Sequence, residues 1–201
     1  RRQMTHPTQQ TKPIAFLPVF TGTNCDYDTT KAFVRAGAEV TTSVFRNLTE
    51  ADIFESIDEM SKKISECQIL ALSGGFSSGD EPDGSGKFIA NVLNNSKIAE
   101  QIHALLDRGG LIIGICNGFQ ALIKSGLLPY GRLGMVTEES PTLFRNDINR
   151  HISLIANTRV SSVNSPWLAG FEIGEIHSVA MSHGEGKLVI SSELAEKLFE
   201  K

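Results

Sequence analysis

Hydrophobic and polar positions divide the first 115 residues into short apolar runs and longer segments with helical spacing. Strands are predicted at residues 14–19, 38–45, 68–73 and 111–115. Helices are predicted at about 27–36, 49–64 and 87–108, the last with a break at 94–96. Strands that alternate with helices favour βαβ units and right-handed crossovers. We therefore expect an α/β domain with a doubly wound, mostly parallel sheet and helices on both faces.

The helical spacing weakens after residue 131. Further strands are predicted at 151–160, 174–181 and 187–191, followed by a helix from about Glu193. Residues 1–12 are polar and without periodicity, so they are interpreted as a linker or leader. One domain is then expected over residues 13–201.

Composition narrows the class of function. The 201 residues are 40% hydrophobic and 21% charged, which is typical of a folded protein. A net charge of −4 without a basic stripe argues against nucleic acid as the main partner. Three cysteines without a CxxC pair indicate neither a disulfide framework nor a zinc site. No run approaches the ~18 apolar residues of a membrane helix, so a cytoplasmic protein is expected.

Cys116 is the strongest candidate for chemistry. It lies in Gly114-Ile115-Cys116-Asn117-Gly118, after an apolar strand and before a helix. This arrangement is the thiol version of a nucleophile elbow, a tight turn that lifts the nucleophile above the sheet edge. The N-terminus of the following helix favours the thiolate form. The alternative is a buried structural cysteine, the interpretation given to Cys25 and Cys67.

The same turn predicts an oxyanion hole. The amide of Asn117 is one expected donor, and an amide of Gly75 or Phe76 in the preceding glycine-rich loop is the second. A nucleophilic thiol also needs a base. From spacing alone, His183 with Glu185 is the best pair, because it lies in a glycine-rich turn with an adjacent carboxylate. Surface or core positions are expected for His6, His103, His151 and His177.

Five segments resemble class I glutamine amidotransferases, and more narrowly the glutaminase domain of phosphoribosylformylglycinamidine synthase in its large single-chain form. They are GTNCDYDTTKAFVRAGAEV, GGFSSGDEPDGSGKFIA, GICNGFQALIKSGLLP, LFRN and SHGEG. The resemblance implies a flavodoxin-like fold. It also implies that Cys116 takes the γ-glutamyl group of glutamine as a thioester, with Gly75, Phe76 and Asn117 around the oxyanion and Gln120 in the glutamine pocket.

The resemblance overrules the pair chosen from spacing. It implies a catalytic His and Glu some tens of residues after SHGEG, so we expect this chain to end before them and to be inactive alone. His183 and Glu185 then form a turn near an interface with the synthase portion of the same polypeptide. ATP and magnesium belong to that portion, because no phosphate loop is found here and no metal site is predicted.

Two other functions fit an α/β domain with such a cysteine. A stand-alone cysteine hydrolase is one, although that class typically places a histidine directly after the cysteine, where this chain has Asn117. A non-catalytic interaction module of the same fold is the other. Both remain alternatives from the sequence.

Overall fold

A computed structural model describes residues 11–77 and 84–200. These residues form two compact units, and each is described by itself. The first runs to Thr142 and resumes at Ile190, and the second is Leu143–Val189. A boundary between compact units thus lies inside the region expected to be one domain.

The first unit contains a regular alternation of strands and helices. Its elements are β1 (Ile14–Val19), α1 (Asp26–Arg35), β2 (Glu39–Val44), α2 (Glu50–Glu66), β3 (Ile69–Leu72), α3 (Lys87–Leu93), α4 (Ser96–Asp107), β4 (Leu111–Gly114), α5 (Asn117–Ser125), the short α6 (Leu127–Tyr130) and, after the second unit, a helix at Ser192–Phe199. The predicted break at 94–96 separates α3 from α4, where the side chain of Asn95 caps the new helix. The predicted succession of elements is confirmed.

The four strands form one parallel sheet in the order β2-β1-β3-β4. The chain moves outward from β1 to β2 and then crosses back to β3, which is the doubly wound arrangement. The carboxyl ends of β1, β3 and β4 therefore meet at one edge of the sheet. That edge is where ligands bind in this architecture.

Alternation along the strands separates two hydrophobic clusters. Phe16, Leu70 and Leu72 belong to the larger cluster, which includes buried residues of α2, α3, α4 and α5. Ala15, Leu17 and Ala71 form the smaller cluster, against which Phe33 of α1 packs. Because successive side chains of a strand point to opposite faces, the helices cover both faces of the sheet, as the sequence predicted.

The second unit contains an antiparallel pair of strands. Strands β6 (Ile152–Arg159) and β7 (Ile176–His183) pair along their whole length. A short strand β5 (Thr142–Phe144) pairs with β8 (Lys187–Val189). The strands β6, β7 and β8 were predicted, and β7 begins two residues later than expected. The strand β5 was not, because three residues are too few for a period to show.

Thr49 begins α2 with a complete capping box. Its hydroxyl accepts from the Asp52 amide at 3.1 Å, and the Asp52 carboxylate accepts from the Thr49 amide at 3.2 Å. Thr49→Ala is expected to lower the free energy of unfolding by about 1 kcal/mol, because one helical amide loses its acceptor. Urea denaturation measures this value. Thr49→Ser, which keeps the hydroxyl, should stay near the wild-type midpoint, and an equal loss in both variants would contradict the capping role.

Candidate active site around Cys116

Cys116 stands at the turn between β4 and α5 with its backbone in an unusual conformation. Its φ is 54° and its ψ is −108°, and it is exposed. A positive φ costs a non-glycine residue about 1–3 kcal/mol, so the surrounding structure must enforce it. The predicted strand, tight turn and helix are therefore present. The thiol lies at the carboxyl edge of the sheet and at the N-terminus of a nine-residue helix.

Gly118 shows what enforces this turn. A Cβ built on Gly118 would lie 2.7 Å from Leu72 Cβ and still closer to the Leu72 carbonyl oxygen. Real Cβ atoms essentially never approach this closely, so only glycine lets the first turn of α5 lie against β3. The close contact fixes the start of α5 and, with it, the position of Cys116.

The amides around Cys116 decide which oxyanion donors are available. Phe76 donates its amide to the Gly22 carbonyl at 2.9 Å, and Asn24 donates to Gly74 at 3.3 Å. These two bonds make the bridge between Thr23 and Gly75, so the Gly75 amide takes no part in it. Of the two amides considered from the sequence, Gly75 is the better candidate. The Phe76 amide is already used, and its side chain is 62% exposed.

Asn117 connects the glycine-rich loop to α5. Its side-chain oxygen accepts from the Ser77 amide at 3.3 Å, and its side-chain nitrogen donates to Gln120 Oε1 at 3.1 Å. The side chain is 1% exposed. The buried Asn117 side chain thus joins the glycine-rich loop to α5 beside Cys116. The Asn117 amide is the first of α5 and lies next to Cys116 in the chain. Residues 78–83 of the loop lie outside the described part of the chain.

Cys25 also lies at this site, which the sequence did not predict. It precedes α1 at the end of the loop after β1, and its amide donates to the Gly74 carbonyl at 3.3 Å. A Cβ built on Gly74 would be 3.4 Å from Cys25 Sγ and 3.3 Å from Cys116 Cβ. Atoms of both cysteine side chains therefore lie near the same point beside Gly74. The carboxyl ends of neighbouring parallel strands were the signal that could have found this.

Comparison with known proteins identifies the family to which this fold belongs. The family model of the CobB/CobQ-like glutamine amidotransferase domain matches residues 12–201. The chain belongs to this amidotransferase family. The predicted resemblance to glutamine amidotransferases is confirmed at this level, together with the α/β fold.

Individual relatives of this amidotransferase chain carry more specific names than the family model. It is 37% identical over 178 residues to the phosphoribosylformylglycinamidine synthase subunit PurQ of Dehalococcoides mccartyi, covering 88% of this chain and 63% of that protein. It is 32% identical over 184 residues to the subunit of the same name from Roseobacter denitrificans, covering 92% and 70%. Both names describe a subunit. Neither describes a domain of a large single chain.

A solved structure gives the same comparison in three dimensions. The structure of PurLQS from Thermotoga maritima matches with a TM-score of 0.66 and 28% sequence identity. The match covers 91% of this amidotransferase chain and 72% of that one. Sequence and fold thus relate this chain to proteins named PurQ and PurLQS.

The pKa of Cys25 predicts how the reactivity of this thiol depends on pH. Partial burial of the sulfur raises the pKa of the Cys25 thiol above the usual 9.0, and Cys116, Asp28 and Asp26 raise it further. Cys25 is therefore a thiol at neutral pH. Its alkylation by iodoacetamide, followed by peptide mass spectrometry, should accelerate about tenfold per pH unit between pH 7 and 9, because only the thiolate reacts.

Cys67 provides the internal control for that measurement. It is fully buried in the larger core cluster, and burial raises its pKa as well. It should stay unmodified at every pH at which the protein is folded. A Cys25 rate that is already at its plateau near pH 7 would contradict the raised pKa.

His183 and Glu185 lie in the second unit of the amidotransferase chain. Asn146 organises their turn: its amide donates to the Gly184 carbonyl at 2.9 Å, and its side chain donates to the His183 carbonyl at 2.9 Å. Gly186 packs directly on the imidazole of His183, and Glu185 is 7% exposed. The LFRN and SHGEG segments are thus joined through Asn146 and His183, which are 37 residues apart. The sequence did not predict this contact.

Three other histidines have ordinary structural partners. His103 accepts from the Leu133 amide at 3.1 Å, His151 contacts the Ser182 hydroxyl at 2.8 Å, and His177 contacts the Glu175 carboxylate at 3.1 Å. His6 lies outside the described residues. Over residues 11–77 and 84–200, no group of three His, Cys, Asp or Glu side chains is placed to hold a metal ion. Within the same ranges, no helix combines the length and hydrophobicity needed to cross a membrane.

Proposed function

We propose that this chain is the glutaminase part of a phosphoribosylformylglycinamidine synthase and that Cys116 is its nucleophile. The observation that carries the proposal is the exposed thiol held at φ 54° in the turn directly before α5. Relatives that bear the name of this synthase's PurQ subunit support the assignment. The strained turn serves no packing purpose for an exposed side chain, which favours a role in chemistry.

The proposed reaction uses the groups around the turn. The Cys116 thiolate attacks the side-chain carbonyl carbon of glutamine, and the carbonyl oxygen becomes an oxyanion. The amides of Gly75 and Asn117 are proposed to stabilise this charge, and Gln120 to contact the glutamine. The carbon–nitrogen bond then breaks, and the nitrogen leaves as ammonia with an added proton. Water hydrolyses the resulting thioester to glutamate and restores the thiol.

The proposal includes a partner active site for the ammonia. A synthase portion would use ATP and magnesium to convert formylglycinamide ribonucleotide to formylglycinamidine ribonucleotide. The sequence resemblance favours a synthase portion on the same polypeptide, whereas the relatives above are named as subunits. Activity in the isolated chain is proposed to be low, since released ammonia has a use only where an acceptor is bound.

The base of the reaction is proposed to be a His–Glu pair outside residues 1–201, as the resemblance implies. A direct role for His183 is the second candidate. The observation in its favour is that Nδ1 of this ring is buried without a hydrogen-bond partner among the described residues. The other proposed role for His183 and Glu185 is to form a turn near an interface with the synthase portion.

Ammonia release from glutamine tests the proposal, with Cys116→Ser as the blank. The assay is run on this chain alone and again with the synthase portion and the longer chain. If only the longer form shows turnover above the blank, the proposed base is supported. If this chain shows turnover without the extension, His183 becomes the leading candidate for the base. Absence of turnover in every form, with no protection of Cys116 from alkylation by glutamine, would reject the glutaminase.

A further inference from the structure

Cys25 and Cys116 are two free thiols that share one space at the edge of the sheet. Both are exposed, and both lie within 3.4 Å of the point where a Gly74 side chain would begin. Because Gly74 has no side chain, nothing from that residue separates the two cysteines. Cys67, in contrast, is buried in the core.

We propose that Cys25 and Cys116 form a reversible disulfide when the protein meets a peroxide. Cys116 is the thiol that reacts first, and Cys25 is the thiol that resolves the oxidised product. The site is therefore a modification site for peroxides. The geometry that carries the proposal is that both side chains lie beside Gly74. The loop after β1 provides Cys25, and the turn after β4 provides Cys116.

The chemistry balances in two steps. The Cys116 thiolate attacks one peroxide oxygen, the oxygen–oxygen bond breaks, and the leaving hydroxide takes a proton to become water. Cys116 is then a sulfenic acid, oxidised by two electrons while the peroxide is reduced. The Cys25 thiolate attacks the Cys116 sulfur, the sulfur–oxygen bond breaks, and hydroxide leaves with the proton that Cys25 released. A dithiol reductant restores both thiols.

A disulfide requires the side chains of Cys25 and Cys116 to approach each other closely. The two Cβ atoms must come within about 3.5–4.5 Å of each other. Asn24 and Cys25 both donate to the single carbonyl of Gly74, each at 3.3 Å, which is longer than the usual ~2.9 Å. The helix α1 that follows buries no residue. The preceding Gly22 is held more tightly, because its carbonyl accepts from the Phe76 amide at 2.9 Å. The approach is therefore confined to Asn24 and Cys25 with their two long bonds.

The consequence for activity rests on the proposed function. A disulfide at Cys116 removes the nucleophile and stops glutamine cleavage, but it also stops further oxidation to sulfinic acid, which is not reversible by thiols. The resolving cysteine thus protects the site. Loss of ammonia production under oxidation would be temporary.

The test treats the full chain with a small excess of hydrogen peroxide and follows its intact mass and its peptides. The expected product has lost the mass of two hydrogen atoms, contains a cross-linked peptide pair with Cys25 and Cys116, and regains its mass with dithiothreitol. Cys67 should remain a free thiol in the same sample. Cys67→Ala should give the same cross-link.

Cys25→Ser is the decisive variant. It should instead gain one oxygen at Cys116, trapped by dimedone, and then a second oxygen that dithiothreitol does not remove. A wild-type protein that gains oxygen at Cys116 while Cys25 stays free would overturn the proposal. A cross-link between two chains instead of within one would overturn it as well. These readouts need no glutamine, so they are independent of whether the proposed glutaminase is correct.

Discussion

Replacing Cys116 with serine is expected to abolish glutamine-dependent synthesis by the assembled synthase and to leave synthesis from added ammonia near the wild-type rate. On the proposed function, the thiol is required only to release ammonia, whereas the acceptor reaction occurs in the synthase portion. Loss of a nucleophile commonly lowers turnover by at least about a thousandfold. Two assays of product formation, one with glutamine and one with an ammonium salt at alkaline pH, measure the two activities.

The control for this prediction is Cys67→Ala in the same assembly. Cys67 is a core residue, so this variant tests the loss of a cysteine without touching the site, and both activities should persist. Loss of both activities in Cys116→Ser, with the assembly intact, would contradict the assignment of the thiol to ammonia supply.

Gly118→Ala is expected to destabilise the fold by about 3 kcal/mol or more. The added methyl group would lie 2.7 Å from Leu72 Cβ and closer still to the Leu72 carbonyl, both of them parts of the central strand β3. Backbone atoms in a sheet cannot rotate away, so α5 must move off the sheet. Such a loss is a large part of the ~5–15 kcal/mol that stabilises a typical domain. Urea and thermal unfolding measure it.

Gly170→Ala is the matched control. A Cβ on Gly170 would meet no atom within 4 Å. This variant should unfold within about 0.5 kcal/mol of the wild type. If the two variants were equally stable, the close approach of α5 to β3 would not be what fixes the turn at Cys116.

The sequence predicted the first unit well because its signals are local. Residues 14–19 and 111–115 are apolar without interruption, which predicted two strands. The strand β1 is largely buried as expected, whereas β4 is only half-buried because it is the last strand of the sheet. The turn at Cys116 was predictable because glycines on both sides leave room for a tight connection. The role of Cys116 stays a prediction, since its geometry alone does not show turnover.

Contacts between segments that are distant in the chain could not be predicted from the sequence. The proximity of Cys25 to Cys116 depends on the strand order β2-β1-β3-β4, which places the loops after β1 and β4 on the two sides of β3. The commitment of the Phe76 amide to Gly22 depends on a single bridge between two loops. Neither pattern repeats along the chain, so no periodicity reveals it.

The unequal clusters on the two faces of the sheet have a consequence for motion. Among the described residues, the larger cluster joins five helices, α2 to α6, to the strands, whereas the cluster against which α1 packs has three buried hydrophobic residues. Local opening costs least where little apolar surface is buried. Amide protons of α1 should therefore exchange with deuterium well before those of β3 and α4. At the candidate active-site edge, the segment that holds Cys116 should then open rarely, whereas the segment that carries Cys25 should open more often.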